Sequence, residues 1–346
     1  MNIIEELSMK TNQIALLVIA AIIVIACVGV YAMSDKSTDD SNNVNAVIDS
    51  DYYPVTVTTF IGGTEYQQTF TKKPERIVTV WPENLELLHS FGLEDRVVGA
   101  FANESYITLN KDLQDEFDAF EKRPTGATIS IELVRSLNPD VIFGWSSTFS
   151  GGLGSVGDVG SLNNYGINCF VTNRPSSSVE DYIKLLETIG IIFNMQDVSA
   201  QKIEEWNSRL ANIREKTSNI DESKKVTALV IEAGAYDGGV YFVYGSGFLT
   251  GDLVTQAGGV NVFDGSMESL TAERIASFNP DIIFVMTEDS RRNEPEQVIA
   301  DFKSNPAFAS LTNNIVVFRF NELYMGGILS ETVLDEMFEA MYPDLV

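Results

Sequence analysis

Two segments of this 346-residue chain repeat one another. SIELVRSLNPDVIF (residues 130–143) and TAERIASFNPDIIF (residues 271–284) agree at seven of fourteen positions: Glu132/Glu273, Ser136/Ser277, Asn138/Asn279, Pro139/Pro280, Asp140/Asp281, Ile142/Ile283 and Phe143/Phe284. Each copy reads as a helix, an Asn-Pro-Asp turn and a short apolar strand, the repeating unit of a parallel α/β sheet. The copies lie 141 residues apart, about the length of one domain. A repeat at that spacing predicts two related α/β lobes.

The stretches around the repeat extend this grammar. Residues 53–60 and 65–70 are Val-, Thr- and aromatic-rich runs about a glycine turn, and they predict a β-hairpin. Strands are expected at 76–80 and 96–100, with Trp81-Pro82-Glu83-Asn84 turning the chain into a helix over 85–91 that Gly92 stops. Residues 130–137 and 271–278 read as helices leading into strands 141–145 and 282–286, and further strands are expected at 226–231 and 315–320. A helix over 179–189 should end near Gly190. Residues 196–218 contain no glycine or proline and place Ile203, Trp206, Leu210 and Ile213 at helical steps, so they predict one long, rigid helix between the lobes. The expected division is a signal or anchor segment 1–33, a linker 34–50, an N-terminal lobe 51–194, an interlobe helix 195–219 and a C-terminal lobe 220–346.

Residues 14–33 carry no charge and match the length of a bilayer-spanning helix. Lys10 precedes the run and Asp35, Asp39 and Asp40 follow it, which predicts a cytoplasmic N-terminus and an extracytoplasmic body. Val24-Ile25-Ala26-Cys27 resembles a lipoprotein box, with Cys27 the residue lipidated after cleavage. Against that, Glu5 and Glu6 suit a signal peptide poorly, and the apolar run continues past Cys27. Uncleaved anchor and lipoprotein both stay open, and both tie the body to the membrane.

Composition excludes several chemistries. Asp and Glu number 49 against 23 Lys and Arg, a net charge of −26, which repels phosphate backbones and argues against nucleic-acid binding. Two cysteines and one histidine cannot build a disulfide scaffold, a Cys-rich zinc site or an imidazole metal site. No metal site and no cofactor are expected. Ser-His-Asp chemistry would have to use His89, which sits on a short helix and reads as structural. Gly152–Gly157 has the form G-x-G-x-x-G but begins seven residues after Trp145, outside any strand-to-helix turn, so it reads as a mobile Gly/Ser loop. No glycine precedes a lysine, so a phosphate-binding P-loop is absent. The chain supplies no catalytic constellation, and an enzyme is not expected.

At larger scale the chain resembles a known family. PERIVTVWPENLELLHSFGLEDRVVGA, the preceding VTVTTFIGGTEYQQTFTKKP, the two repeated motifs and GSGFLTGDLVTQAGGVNVF together resemble the helical-backbone (class III) substrate-binding proteins of importers for iron-siderophores, haem and cobalamin. The likeness covers about residues 54–340. It implies two Rossmann-like α/β lobes joined by one long backbone helix, a ligand cleft between them, and a monomer that delivers an iron chelate or corrinoid to an ABC permease dimer with its ATPase. A membrane-anchored sensor or scaffold on the same fold is the alternative.

Contacts in such a cleft should come from the loops at the strand ends. Trp81, Trp145, Phe149 in the Gly/Ser loop, Tyr236, Tyr244 and Tyr324 are aromatics at these turns and suit a large, partly apolar chelate or macrocycle. Arg291, followed by Arg292, would serve an anionic ligand. Glutamates at the positions of Glu132 and Glu273 pair, in the family resembled, with arginines of the two permease subunits. An acidic residue there also complements a helix N-terminus.

Overall fold

The computed structural model describes residues 51–61, 64–101, 129–151, 155–172, 178–234, 239–287, 294–309, 314–324 and 330–346. The apolar run 14–33, the linker and Cys27 lie outside the described residues; among the described residues no helix is long and apolar enough to cross a membrane. Strands β1 (Val55–Ile61) and β2 (Thr64–Phe70) form the expected antiparallel hairpin. Next come β3 (Ile77–Val80), helix α1 (Pro82–His89), β4 (Val97–Phe101), α2 (Ile131–Ser136), β5 (Val141–Gly144), α3 (Val159–Asn164) and β6 (Asn168–Val171). The last four strands make an all-parallel sheet in the order β4-β3-β5-β6. The hairpin covers the edge of this sheet through side chains. Gln68 Oε1 accepts the Cys169 N–H at 2.9 Å and Thr59 Oγ1 accepts the Val171 N–H at 2.7 Å. These bonds explain why Gln68 and Thr59 are buried, and they satisfy an edge that would otherwise invite pairing.

The expected turn at 81–84 is instead the start of α1. Proline opens the helix, where its missing N–H costs nothing and its φ is already helical. A second correction concerns α4 (Val179–Phe193), which passes through Gly190 and ends at Asn194 in the left-handed conformation. Gly190 does not break the helix; it lets the next helix approach, because a Cβ there would collide with the Ser199 side chain. That next helix, α5 (Gln196–Thr217), has the expected length. It buries Trp206, Leu210 and Ile213, with Trp206 edge-on to Tyr182 of α4 at 5.6 Å.

The second sheet follows α5. It contains β7 (Thr227–Glu232), β8 (Val240–Tyr244), α6 (Leu249–Gln256), β9 (Val260–Asn261), β10 (Met267–Thr271), α7 (Ala272–Ala276), β11 (Ile282–Thr287), α8 (Pro295–Lys303), β12 (Asn314–Arg319), α9 (Phe320–Leu323) and α10 (Ser330–Met341). Its order is β10-β8-β7-β11-β12, with β9 beside β7. The strands β7, β11 and β12 run parallel, while β8 runs antiparallel to both of its neighbours, β7 and β10. This sheet is therefore mixed rather than wholly Rossmann-like. Helix α5 touches both halves: Lys202 lies over the Phe91 ring that follows α1, and Arg209 pairs with Glu331 at 3.5 Å and with Asp335, both on α10.

The repeated turn explains why the two halves match. Ser130 and Thr271 cap α2 and α7 by accepting the N–H three residues on. Each helix ends at an asparagine with positive φ, Asn138 at 48° and Asn279 at 44°, a conformation asparagine tolerates. The aspartate after the proline then ties two strand starts together. Asp140 accepts the Glu75 and Arg76 N–H groups at 2.8 and 3.1 Å, and Asp281 accepts the Thr227 N–H at 2.8 Å. These bonds sit one residue before the register pairs Ile77↔Val141 and Ala228↔Ile282.

Both strand pairs are buried on two faces, and alternate residues feed different cores. Ile77, Val141, Phe143, Val230 and Phe284 join a core shared by both sheets and the helices between them. Val78 and Ile142 face a core private to the first sheet, and Leu229 and Ile283 one private to the second. Such strands read as continuous apolar runs. Asp140→Ala and Asp281→Ala should each lower stability by about 1–2 kcal/mol, since each leaves strand-start N–H groups without their acceptor. Urea unfolding should show a lower midpoint with an unchanged slope.

Candidate functional site: the aromatic seam between the sheets

In the first sheet the chain leaves β3 for β4 on one side and later places β5 on the other. The carboxyl ends of β3 and β5 therefore flank the point where the strand order reverses, the crevice where open α/β sheets bind ligands. Trp81 follows β3 and Trp145 follows β5, and their rings stack with centroids 4.5 Å apart and planes at 19°. Trp81 has φ 77° and ψ 141°, which a bulky residue adopts only at a cost of ~1–3 kcal/mol. Its N–H donates to the Phe101 carbonyl at 2.8 Å, which helps hold that conformation.

The second sheet supplies the facing aromatics. Tyr324, after α9, lies 6.4 Å from Trp145, 5.9 Å from Tyr244 and 5.6 Å from Phe248, and stacks on Phe320 at 4.4 Å. Four of the expected contact residues (Trp81, Trp145, Tyr244 and Tyr324) thus meet in one cluster fed by both sheets. Phe149 does not join it through any of these ring contacts; it is buried in the private core of the first sheet with Val78 and Phe101. Tyr236 and Arg291 lie outside the described residues, as do Arg292 and residues 152–154 of the Gly/Ser loop.

Polar groups line the same seam, and sequence reasoning missed them. Glu83 and Glu86, in the first turns of α1, are 6% and 1% exposed. Both Glu83 carboxylate oxygens and Glu86 Oε1 lack a well-formed hydrogen bond. Burial pushes the Glu83 carboxyl well above the usual carboxylate range; its own backbone N–H and the Trp145 indole pull the other way, and Glu86 adds to the rise. Burial raises Glu86 to about 8, against the pull of Arg319 on the second sheet. Arg319 itself is held by Glu322, through Nε at 2.8 Å and Nη2 at 2.7 Å, and Glu232 accepts a hydrogen bond from the Tyr244 hydroxyl. The available signal was Pro82: with proline at the first helical position, Glu83 and Glu86 share a face of a helix that also carries Leu85, Leu87 and Leu88.

The remaining candidates fall as follows. Glu132 and Glu273 are exposed in the first turns of α2 and α7. His89 lies 3.7 Å from the Glu94 carboxylate, in keeping with a structural role. Cys169 is buried in β6, where burial pushes its thiol up to about 12, so it is unreactive. Among the described residues no group of three or more His, Cys, Asp or Glu is arranged to hold a metal ion.

Glu86 makes stability depend on pH. Its folded pKa lies above the unfolded value, so the folded state holds the extra proton between about 4.5 and about 8. The associated stability is complete below pH ~4.5 and is lost as pH rises through ~8. Melting temperature should therefore fall between pH 5 and 8 in the native protein, and Glu86→Gln should flatten that slope. An unchanged slope in the variant would count against a buried, protonated Glu86.

Comparison with known proteins agrees with this geometry. An uncharacterized ABC transporter substrate-binding lipoprotein, YvrC, of Bacillus subtilis (strain 168) is 27% identical over 272 residues, 78% of each chain. A periplasmic binding protein from Veillonella parvula DSM 2008 superposes with TM-score 0.69 at 21% identity, covering 84% of this chain and 92% of that one. An ABC-type Fe3+-hydroxamate transport system protein from Saccharomonospora viridis DSM 43017 superposes with TM-score 0.63 at 21% identity, covering 83% and 99%. The family model described as periplasmic binding protein matches residues 77–313, and the chain belongs to that family.

Proposed function

We propose that the protein is the extracytoplasmic substrate-binding component of an ABC importer and that it carries an iron complex (siderophore or haem) or a corrinoid. The observation that carries this reading is the aromatic seam: Trp81 and Trp145 at the switch point of one sheet face Tyr324, Tyr244 and Phe248 of the other. Broad ring faces gathered from two sheets suit a large, partly apolar cargo better than a bare ion. The Fe3+-hydroxamate name of the Saccharomonospora viridis protein supports the chelate class, and the lipoprotein name of the Bacillus subtilis relative supports a membrane-tethered body. The tether would be residues 1–33, through Cys27 or an uncleaved helix, followed by linker 34–50. The cargo would lie between lobes 51–194 and 220–346, joined by helix 195–219. Tyr236 and Arg291 remain candidate contacts.

Titration of the detergent-solubilised full chain with ferrioxamine B, haemin or cyanocobalamin should give saturable quenching of tryptophan fluorescence at micromolar or lower concentration of at least one of them. Trp81→Ala should weaken that binding by about tenfold or more. Micromolar zinc binding that blocks all three would overturn the reading.

Glu132 and Glu273 are assigned to permease docking. They hold matching places in the repeat, one in each half, so two related permease subunits would each meet one acidic contact. Exposed ion pairs of this kind orient a complex as much as they tighten it and weaken with salt. Charge reversal of both, Glu132→Lys with Glu273→Lys, should abolish uptake in cells while leaving ligand affinity within about twofold, since exposed rim charges act mainly on docking. Normal uptake by the double variant would remove these residues from the docking surface.

A further inference from the structure

The seam has an excess of hydrogen-bond acceptors. On the second sheet the charged groups are matched: Glu322 takes the Arg319 guanidinium and also its backbone N–H at 2.9 Å, and Glu232 takes the Tyr244 hydroxyl. On the first sheet Glu83 and Glu86 are more than nine-tenths buried, both Glu83 oxygens and Glu86 Oε1 lack a well-formed hydrogen bond, and Asn84 spends its amide N–H on the Val80 carbonyl, leaving Oδ1 unpaired as well. A buried acceptor without a donor costs about 1–3 kcal/mol, more when charged. Glu83 and Asn84 lie within one turn of Trp81 and Glu86 in the next turn, and Glu83 faces the Trp145 indole. A donor group brought to this seam would find these acceptors.

We propose that Glu83 and Glu86 receive a cationic, hydrogen-bond-donating group of the cargo, so that the protein prefers a ferric chelate bearing a protonated amine over an uncharged or polyanionic one. This rests on the transport reading above. Three features support it. The charged form of Glu83, in the first turn of α1, is favoured by the helix dipole once a cation is present to stabilise it. The stacked faces of Trp81 and Trp145 add attraction for an ammonium group. The one described cation across the seam, Arg319, is already held by Glu322 and offers little to an anionic cargo. Burial favours the protonated carboxyls in the absence of such a group, so an arriving ammonium would shift them towards the carboxylate, with the released protons passing to solvent, and form charge-assisted bonds.

Ferrioxamine B carries a pendant primary amine, and its N-acetylated ferric complex is the same chelate without that charge. Calorimetric titration of the detergent-solubilised full chain should show the amine-bearing complex binding about tenfold or more tighter than the acetylated one, the range expected for a hydrogen bond to a charged group. Glu83→Gln and Glu86→Gln should each bring that ratio towards one. Equal affinities in the native protein would overturn the proposal. So would a ratio preserved in both variants, or a loss that falls equally on the two complexes. Binding of haemin or cyanocobalamin with neither ferric hydroxamate would overturn this inference and leave the transport reading standing. Failure to bind any of the four would overturn both.

Discussion

Two aspartate side chains at strand starts set the geometry on which the rest depends. Asp140 and Asp281 each bind backbone N–H groups at the start of the neighbouring parallel strand, and so fix the β3/β5 and β7/β11 register. A slip of one residue would exchange every side chain between faces. Ile77 would trade places with Val78, and the shared and private cores would both receive the wrong shapes. Because these strands are short, the same register also decides where their carboxyl ends stop. It places Trp81 and Trp145 side by side, within stacking distance.

The second level of organisation is the core that runs through both halves. Each central strand gives alternate residues to a private core and to a common one, and the common core includes α1, α4, α5, α6 and α10. Helix α5 can lie close to α4 because Gly190 leaves room for Ser199. The halves are thus joined by buried apolar surface as well as by chain connection, and burial of that surface contributes about 25 cal/mol per Å². The seam aromatics sit on this support.

The seam combines features that lower stability, as binding sites do. Trp81 holds an uncommon backbone conformation, and Glu83 and Glu86 bury carboxyl oxygens that lack well-formed hydrogen bonds. Neither feature is explained by folding alone, since a smaller residue at 81 and leucines at 83 and 86 would fold at lower cost. Their position beside stacked indoles, at the switch point of the sheet, fits the proposed role in ligand capture.

Much of the fold was legible in local patterns. The Asn-Pro-Asp repeat specified two α/β halves, the absence of glycine and proline specified α5, and aromatics at strand ends pointed to Trp81, Trp145, Tyr244 and Tyr324. These are short-range signals, and short-range physics sets them: a cap, a turn, a helical period. Other properties depend on contacts across the chain. Phe149 looked like a rim residue but fills a private core, because the turn after Trp145 folds it inward. Gly190 looked like a helix stop but serves a helix–helix contact formed only when α5 folds back. By sequence, Glu83 reads only as part of a turn, and Glu86 falls unremarked within the helix after it. Their surroundings come from distant parts of the chain, and only tertiary structure brings Trp145, Arg319 and Tyr182 close enough to decide their environment. The sequence by itself determined which residues could form helices, turns and strands; the tertiary structure decided which of those residues lost water, because burial is set by elements distant in the chain.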